Sequence, residues 1–358
     1  MMKNWLNTAR DAYTPAEREL VGVDHAASAR AYFHRHPSYR PTPMRSLPAL
    51  AGTAGVASIQ LKDESERMGL SSFKALGGIY AVARLVRAEA EQLYGPHVTE
   101  EEIRAAAART PFVCASAGNH GLSVTTGVRE LGGTMVVFLG EGVPEQFARE
   151  LRSLGAEVRR SGRDYEQSMA AAREATEKHG WRLVSDSSWE GYTRVPLDVM
   201  RGYTVLFDEI EDPPTHIFVQ AGVGGLAGAA AGYARDRWGE QPRVVVVEPQ
   251  AAPCLLVSAR EGRPRRVEGG RTTLGRLDCR EPSLLAWQLL SHLADAFVTV
   301  TDAEAEAAAR FLAAEGVRVS ACGAGGAAGL LTLEPAVRSA LGLGADSHVL
   351  VIGTEGEL

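Results

Sequence analysis

A glycine-rich segment between a hydrophobic run and a helical pattern is one candidate ligand-binding site of this chain. Residues 221–228 read Ala-Gly-Val-Gly-Gly-Leu-Ala-Gly. Residues without side chains let a ligand approach the main chain, and the N–H groups at a helix N-terminus attract an anion. The pattern therefore predicts that a phosphate group binds to the backbone of this segment.

The glycine segment alone does not identify the compound that carries the phosphate. Gly222, Gly224 and Ala227 also satisfy the G-x-G-x-x-A form of the dinucleotide fingerprint. Glu248 ends the next hydrophobic run, about twenty residues later, where a dinucleotide-binding protein has an acidic residue for the ribose. On these residues, an NAD-dependent oxidoreductase remains an alternative.

Lys74 is the second residue with a chemical interpretation. It follows two serines and a phenylalanine (residues 71–73) and precedes the apolar helical pattern that begins at residue 75. An amine in apolar surroundings loses part of its preference for the charged form, which favours imine formation with an aldehyde. A lysine at a helix start is also an ordinary surface feature, so the interpretation of Lys74 as an imine-forming residue depends on evidence from other segments.

A third segment, residues 116–121, reads Ser-Ala-Gly-Asn-His-Gly. It follows a predicted strand and opens a predicted helix, so the Ser116 hydroxyl and the Asn119 amide would lie beside free N–H groups. Such a site suits a small anion such as a carboxylate. The same residues could also serve as a plain helix cap.

The elements that must position these segments alternate between short apolar runs and longer amphipathic runs. This alternation is typical of parallel sheets covered by helices. We predict strands at residues 111–115, 134–139, around 158, 181–185, 215–220, 243–248 and 347–352, and helices at 119–131, 144–154, 164–179 and 226–237. The run at 243–248 is too hydrophobic to have an exposed face. Residues 253–282 are rich in Arg and Gly and are predicted to be an irregular surface loop.

Length and composition narrow the class of protein. The 358 residues exceed what one core usually serves, and the net charge of −6 argues against a nucleic-acid-binding surface. We find no apolar stretch typical of a signal peptide or a membrane span, so we expect a cytoplasmic protein without a membrane partner. We expect no metal site, and we expect free buried thiols at the cysteines, which form no CxxC pair: Cys114, Cys254, Cys279 and Cys322.

Together and in this order, the three segments resemble the fold-type II pyridoxal-phosphate enzymes, which include threonine and serine dehydratases, cysteine synthase and diaminopropionate ammonia-lyase. The resemblance is greatest to the ammonia-lyases and covers nearly the whole chain. It is carried by residues 32–35, 40–43, 62–65, 73–78, 185–192, 200–203, 279–283 and 355–356. The Trp-Glu-Gly-Tyr stretch at residues 189–192 is specific to that lyase subgroup.

The resemblance implies a two-domain α/β fold similar to that of the tryptophan synthase β-subunit. Each domain would be a mostly parallel sheet with flanking helices. Residues 1–90 and 180–358 would form a large cofactor-binding domain, and residues 91–179 a small mobile domain. A homodimer is the implied assembly.

The resemblance also implies roles for individual residues. Lys74 would hold pyridoxal 5'-phosphate as a Schiff base and later move the Cα proton, while Asp186 would serve the leaving amine. Asn119 would bind the ring hydroxyl of the cofactor, and Thr354 its pyridine nitrogen. The phosphate would bind to the N–H groups of Gly222, Val223, Gly224, Gly225 and Leu226. The substrate carboxylate would bind to Ser116, Asn119 and His120.

The reaction expected from these roles is α,β-elimination on a small β-substituted L-amino acid similar to 2,3-diaminopropionate, giving pyruvate and ammonia. A neutral hydroxyl at the pyridine nitrogen leaves the ring less often protonated than a carboxylate would, which suits quick loss of a β-substituent. β-Replacement, in which a second nucleophile takes the place of the β-group, uses the same cofactor residues and remains an alternative. The NAD-dependent oxidoreductase is the less favoured one.

Two departures from the ammonia-lyase pattern concern the substrate. Ala117 stands where those enzymes have an acidic residue, in the place of a base for the D-substrate. Residues 322–326 read Cys-Gly-Ala-Gly-Gly where the lyases have Gly-Glu-Ser-Gly, so Ala324 provides no carboxylate. We therefore expect a β-charged or otherwise different L-amino acid, and not D-diaminopropionate, to be the substrate, and a divergent, specialised activity remains an alternative.

Overall fold

The computed structural model describes residues 3–116, 118–163 and 165–357. They form two compact units. The first comprises Met1–Phe73, Ser187–Gly191 and Tyr203–Leu358, and the second comprises Lys74–Asp186 and Tyr192–Gly202. These bounds differ from the domain boundaries expected from the sequence at residues 74–90, 180–186 and 192–202, which belong to the second unit. The helix that begins at Lys74 packs against another helix of that unit.

The elements follow one another in the order expected for an α/β protein. The first half contains β1 (Asn4–Leu6), α1 (Pro15–Leu20), α2 (Val23–Phe33), β2 (Met44–Ser46), α3 (Pro48–Ala54), β3 (Ser58–Asp63), α4 (Lys74–Tyr94), α5 (Glu100–Ala108), β4 (Phe112–Cys114), α6 (Asn119–Glu130), β5 (Met135–Leu139), α7 (Glu145–Ser153), β6 (Glu157–Arg160), α8 (Tyr165–His179) and β7 (Arg182–Leu183). The second half contains α9 (Arg194–Asp208), β8 (His216–Gln220), α10 (Gly225–Trp238), β9 (Arg243–Pro249), α11 (Cys254–Glu261), α12 (Leu284–Leu293), β10 (Ala296–Val300), α13 (Asp302–Ala314), α14 (Gly325–Leu331), α15 (Pro335–Ala340) and β11 (His348–Gly353).

The sheet of the first unit has the strand order β1-β10-β9-β8-β11-β3-β2. Its inner strands are parallel, and the two edge strands pair antiparallel with their neighbours. Because β8 and β11 are adjacent and parallel, the residues that follow them emerge at the same sheet edge. Residues 244–247 of β9 are 0% exposed, which confirms the prediction of a strand without an exposed face.

The sheet of the second unit has the order β6-β5-β4-β7 and is parallel throughout. Adjacent β4 and β7 lead at their carboxyl ends to residues 115–118 and 184–186. Helices α4 and α6 pack closely against each other, since a Cβ on Gly127 would lie 3.0 Å from Cα of Ile79. A larger residue at position 127 would therefore push α6 away from α4.

Most predicted elements are confirmed, and so is the α/β class with two mostly parallel sheets flanked by helices. One prediction is wrong: the segment 253–282 is not irregular throughout, because α11 covers Cys254–Glu261. Leu255 and Leu256 are buried on that helix, and Gly262 ends it in the left-handed conformation with φ +68°. Asp164, where a helix was predicted to begin, lies outside the described residues.

Among the described residues, no helix is both long and apolar enough to cross a membrane. These residues also contain no group of three or more His, Cys, Asp or Glu side chains placed to bind a metal ion. None of the four cysteines forms a disulfide: Cys114, Cys254 and Cys322 are buried as expected, whereas Cys279 is partly exposed.

Candidate active site

In the second unit, Lys74 and Asp186 form a close ion pair. Lys74 is the first residue of α4, and Asp186 follows strand β7. Nζ of Lys74 donates a hydrogen bond to Oδ2 of Asp186 at 2.5 Å, and the two side chains are 23% and 19% exposed. Two residues singled out from distant parts of the sequence thus lie in direct contact.

The ion pair sets the charge of the Asp186 carboxyl. Burial alone would raise the pKa of Asp186, but the charge of Lys74 and the hydrogen bond that Lys74 donates outweigh burial and hold the pKa below its usual range. Asp186 is therefore ionised at neutral pH for as long as Lys74 is charged.

His120 is a buried histidine near this pair, 6% exposed. Its Nε2 lies 3.0 Å from the carbonyl oxygen of Val184, so Nε2 carries a hydrogen and donates it. Burial, partly opposed by the charge of Asp186, lowers the pKa of His120, which keeps the ring neutral. Nδ1 is then an acceptor, and it has no hydrogen-bond partner among the described residues. A ring in this tautomer has no donor for a substrate carboxylate.

The segment that leads into α6 carries Ser116 and Asn119. Gly118 caps the helix, and Asn119 is its first residue. A Cβ on Gly121 would overlap the carbonyl group of Ser116, so only glycine allows the segment to turn back on the first turn of α6. Ala117, where the ammonia-lyases have an acidic residue, lies outside the described residues.

Tyr192 supports the segment before Asp186, a function that the sequence did not reveal. Its hydroxyl donates to the carbonyl oxygen of Leu183 at 2.8 Å and accepts from the N–H of Ser185 at 3.1 Å. Burial raises the pKa of Tyr192, so the phenol keeps its proton. The available signal was the Trp-Glu-Gly-Tyr stretch, in which Gly191 has φ +82° and turns the chain before Tyr192.

In the first unit, the glycine segment lies between β8 and α10, as predicted. Gly224 caps α10 with φ +98°, a conformation that favours glycine. A Cβ on Gly222 would lie 2.8 Å from Sγ of Cys279, so position 222 also excludes a side chain. The carbonyl of Val223 is held by the N–H of Ser283 at 2.9 Å.

The N–H groups of this segment are available to a ligand. Within the described residues, no hydrogen bond leaves the N–H groups of residues 222–226, whereas those of Ala221 and Gly228 are bonded. No acidic side chain lies in the first turn of α10. A row of main-chain donors at the start of a long helix is a typical phosphate-binding arrangement.

Ser188 and Ser283 support the glycine segment, and neither was identified from the sequence. The Ser188 hydroxyl lies 2.7 Å from that of Ser283, and the Ser188 N–H donates to the same oxygen at 2.9 Å. Both side chains are buried. Both serines lie in stretches that resemble the ammonia-lyases, residues 185–192 and 279–283, and this position could have indicated their importance.

Thr354 directly follows β11 and is 3% exposed. Its carbonyl oxygen accepts from the N–H of Phe73 at 3.0 Å, and its Oγ1 accepts from Nε2 of Gln220 at 3.1 Å. Because Gln220 ends β8, Thr354 lies near the strand that leads into the glycine segment. Ala324, at the other departure from the lyase pattern, is buried.

Glu248 does not have the surroundings that a dinucleotide site requires. It is 0% exposed, and its two carboxylate oxygens accept the N–H groups of Leu255 and Leu256, both at 2.7 Å. The carboxylate is thus used at the N-terminus of α11 and is not available to a ribose. The fingerprint spacing is present, but the acidic residue has a structural function.

Comparisons with known proteins cover nearly the full length of the chain. Residues 36–355 match the family described as pyridoxal-phosphate dependent enzyme. Diaminopropionate ammonia-lyase of Escherichia coli K12 is 33% identical over 362 residues, covering 94% of this chain and 90% of that protein.

Solved structures of the Escherichia coli enzyme are similar to this chain as well. Its complex with D-serine gives a TM-score of 0.88 at 31% identity, covering 99% of this chain and 93% of that one. Its complex with an aminoacrylate-PLP azomethine reaction intermediate gives a TM-score of 0.86 at 31% identity, with the same coverage.

Proposed function

The chain belongs to the pyridoxal-phosphate-dependent enzyme family, and from that premise we propose that it is a carbon–nitrogen lyase that eliminates ammonia from a small β-substituted amino acid. The observation that carries the proposal is the 2.5 Å contact between the Lys74 amine and the Asp186 carboxylate. It places an imine-forming amine beside a group that can exchange protons with it.

The residues present fit pyridoxal 5'-phosphate. We propose that the N–H groups of residues 222–226 bind its phosphate, because position 222 excludes a Cβ and the donors have no other acceptor among the described residues. We further propose that Lys74 binds its aldehyde carbon, Asn119 its ring hydroxyl and Thr354 its pyridine nitrogen. When bound, the cofactor supplies a ring that withdraws electrons from Cα of the substrate.

We infer that Lys74 and Asp186 carry the protons of the reaction. Lys74 Nζ takes the proton from Cα, and Asp186 delivers a proton to the departing amine. While Lys74 is charged, its attraction keeps Asp186 ionised. When Lys74 is neutral, that attraction is absent, and burial, the largest influence on the carboxyl, raises the pKa of Asp186. The acidity of Asp186 thus depends on the charge of Lys74 and suits a proton donor.

We propose that the segment at the start of α6 binds the substrate carboxylate. The Ser116 hydroxyl and the Asn119 amide are its side-chain donors. The ring of His120 has its N–H directed to Val184, so we place the contribution of His120 at its main-chain N–H, in the first turn of α6.

We propose an L-amino acid as the substrate. Ala117 and Ala324 provide no carboxylate at the two positions where the ammonia-lyase pattern has an acidic residue, so neither position supplies a base for the opposite hand of Cα. The Escherichia coli enzyme was solved with D-serine, so the two proteins would differ in this respect. The test is a panel of L- and D-2,3-diaminopropionate, L- and D-serine and L-threonine, with 2-oxo acid and ammonia measured together. Equal turnover of D-diaminopropionate would contradict the proposal, and substrate loss only with an added nucleophile would indicate β-replacement.

Attachment of the cofactor is tested by borohydride reduction and peptide mass spectrometry. The sequence has lysines at four positions, Lys3, Lys62, Lys74 and Lys178. We expect the pyridoxyl adduct on Lys74, and we expect Lys74→Ala to abolish both the adduct and turnover. Lys178→Ala, an exposed position, is the matched control and retains both. An adduct on another lysine, or none, would contradict the proposal.

We also propose that the protein acts as a homodimer in the cytoplasm. The assembly is common among fold-type II enzymes, and the negative net charge of −6 is compatible with a dissolved enzyme. Analytical ultracentrifugation of the holoenzyme tests the assembly, and a monomer at micromolar concentration would contradict it.

A further inference from the structure

Gln220, the last residue of β8, is a buried glutamine with a fixed amide orientation. Its side chain is 2% exposed. Nε2 lies 2.8 Å from the carbonyl oxygen of Gly323, 3.0 Å from that of Ile352 and 3.1 Å from that of Cys322. Carbonyl oxygens only accept hydrogen bonds, so the amide nitrogen, and not the amide oxygen, faces them.

Two glycines of α14 leave the space that the Gln220 side chain occupies. A Cβ on Gly325 would lie 2.9 Å from Cβ of Gln220, and a Cβ on Gly326 would lie 3.2 Å from its Oε1. Within the described residues, Oε1 has no hydrogen-bond donor. A buried amide oxygen without a hydrogen-bond donor is unfavourable. The favourable interactions of the Gln220 side chain are therefore the hydrogen bonds of its amide nitrogen.

The amide nitrogen determines the direction of the Thr354 hydroxyl hydrogen. Nε2 lies 3.1 Å from Oγ1 of Thr354. Nε2 has two hydrogens for the four oxygens within 3.1 Å of it and cannot itself accept a hydrogen bond, so the Thr354 hydroxyl hydrogen must point away from Nε2. The backbone of Thr354 is held by Phe73, and the next residue, Glu355, is paired with Arg276 at 2.7 Å.

We propose that Gln220 is a positioning residue that presents the Thr354 hydroxyl as a hydrogen-bond donor to the pyridine nitrogen and so keeps that nitrogen unprotonated. This inference rests on the proposed function, in which Thr354 meets the ring nitrogen. Since the described residues offer the hydroxyl hydrogen no other acceptor, donation to the ring nitrogen is the arrangement that satisfies it. An unprotonated ring withdraws electrons less strongly, which favours quick loss of the β-substituent.

The test uses the holoenzyme loaded with pyridoxal phosphate labelled with ¹⁵N in the ring. We expect the wild-type ¹⁵N NMR signal to be that of an unprotonated, hydrogen-bonded pyridine nitrogen from pH 6 to pH 9. Gln220→Met and Thr354→Val move this signal in the same direction, and each weakens cofactor binding by roughly two- to tenfold. The double variant shows little further change, because both substitutions act on the one hydrogen bond from the Thr354 hydroxyl to the ring nitrogen.

Gln288→Met is the matched control, since Gln288 is exposed on α12. It leaves the signal and the affinity unchanged. A pyridinium signal in the wild type would overturn the inference, and so would a wild-type signal in Gln220→Met. If Gln220→Met does not fold, as judged by circular dichroism of the apoprotein, Gln220→Asn, whose amide is one methylene shorter, is measured instead and is expected to move the signal in the same direction. A missing adduct on Lys74 refutes the proposed function itself, whereas an adduct on Lys74 with an unmoved ring signal refutes only the role of Gln220.

Discussion

At the scale of single residues, the charge of the Asp186 carboxyl depends on its neighbours. The direction of its pKa shift results from burial, which favours the neutral acid, and from Lys74, which favours the carboxylate. Removing the carboxylate while keeping the shape of the side chain separates its chemical contribution from its packing.

We expect Asp186→Asn to retain the cofactor and to lower kcat by roughly 10²–10⁴-fold, the usual contribution of a general acid. The amide still accepts a hydrogen bond from Lys74, but it cannot protonate a leaving amine. Steady-state kinetics with simultaneous measurement of bound cofactor tests this. Asp212→Asn, at an exposed position, is the control. An unchanged kcat in Asp186→Asn would remove this residue from the mechanism.

Residue types and spacing predicted some site positions but not their hydrogen bonds. Lys74 and the glycine segment were identified because an amine before an apolar helix and small residues between strand and helix have direct chemical meaning. The hydrogen bond of His120 to Val184 could not be predicted, because it depends on where β7 places a carbonyl group. The same limitation applies to Glu248, because a ribose-binding carboxylate and a carboxylate at a helix N-terminus have the same spacing in the sequence.

Among the elements, the end of β7 is the one that positions the candidate acid. The strand has only two residues, Arg182 and Leu183, and Asp186 lies three residues beyond it. So short a strand does not hold the following residues by itself, and the Tyr192 hydroxyl supplies two further hydrogen bonds.

We expect Tyr192→Phe to lower the free energy of unfolding by about 1–3 kcal/mol, because the Leu183 carbonyl and the Ser185 N–H lose their partner. We also expect kcat to fall more than KM changes, since the segment that carries Asp186 becomes less well held. Urea unfolding and steady-state kinetics measure the two effects. Tyr94→Phe, 44% exposed, is the control and shows neither. Wild-type stability and kcat in Tyr192→Phe would contradict this account.

Elements with a continuous hydrophobic run or a regular hydrophobic period were predictable from the sequence. Elements that are very short or have a mixed composition were not. The valine run of β9 indicates a buried strand from the sequence alone, because no polar residue interrupts it. Helix α11 was missed because the Arg and Gly residues after position 260 dominate the composition of that stretch. The edge strands β1 and β2 have three residues each, too few for a period to be recognised.

For the molecule as a whole, two buried histidines contribute to how stability responds to acid. His216 lies in the first unit, where its Nε2 is 3.0 Å from the carbonyl oxygen of Leu341. Burial lowers the pKa of His216, and it also lowers the pKa of His120 in the second unit. In both cases the folded state binds a proton less readily than the unfolded state does.

We expect the contribution of these histidines to the free energy of unfolding to be constant above about pH 7.5 and to fall as the pH drops below about 6.5, the unperturbed value. In that range the unfolded chain takes up protons that the folded state does not. His216→Gln should lose part of this decrease. Urea midpoints at pH 7.5 and 5.5 measure it, with exposed His97→Gln as the control. An identical pH dependence in wild type and His216→Gln would contradict the assignment.

Helix α10 has a practical consequence for handling the protein. Its residues 225–235 are buried, it has no acidic side chain in its first turn, and the N–H groups before it have no acceptor in the described chain. Such donors can bind any small oxyanion, and not only the phosphate group of pyridoxal 5'-phosphate. If the cofactor phosphate binds to these donors as proposed, inorganic phosphate or sulfate in a purification buffer competes with it, and we expect reconstitution of the apoprotein to be more complete in a buffer free of both.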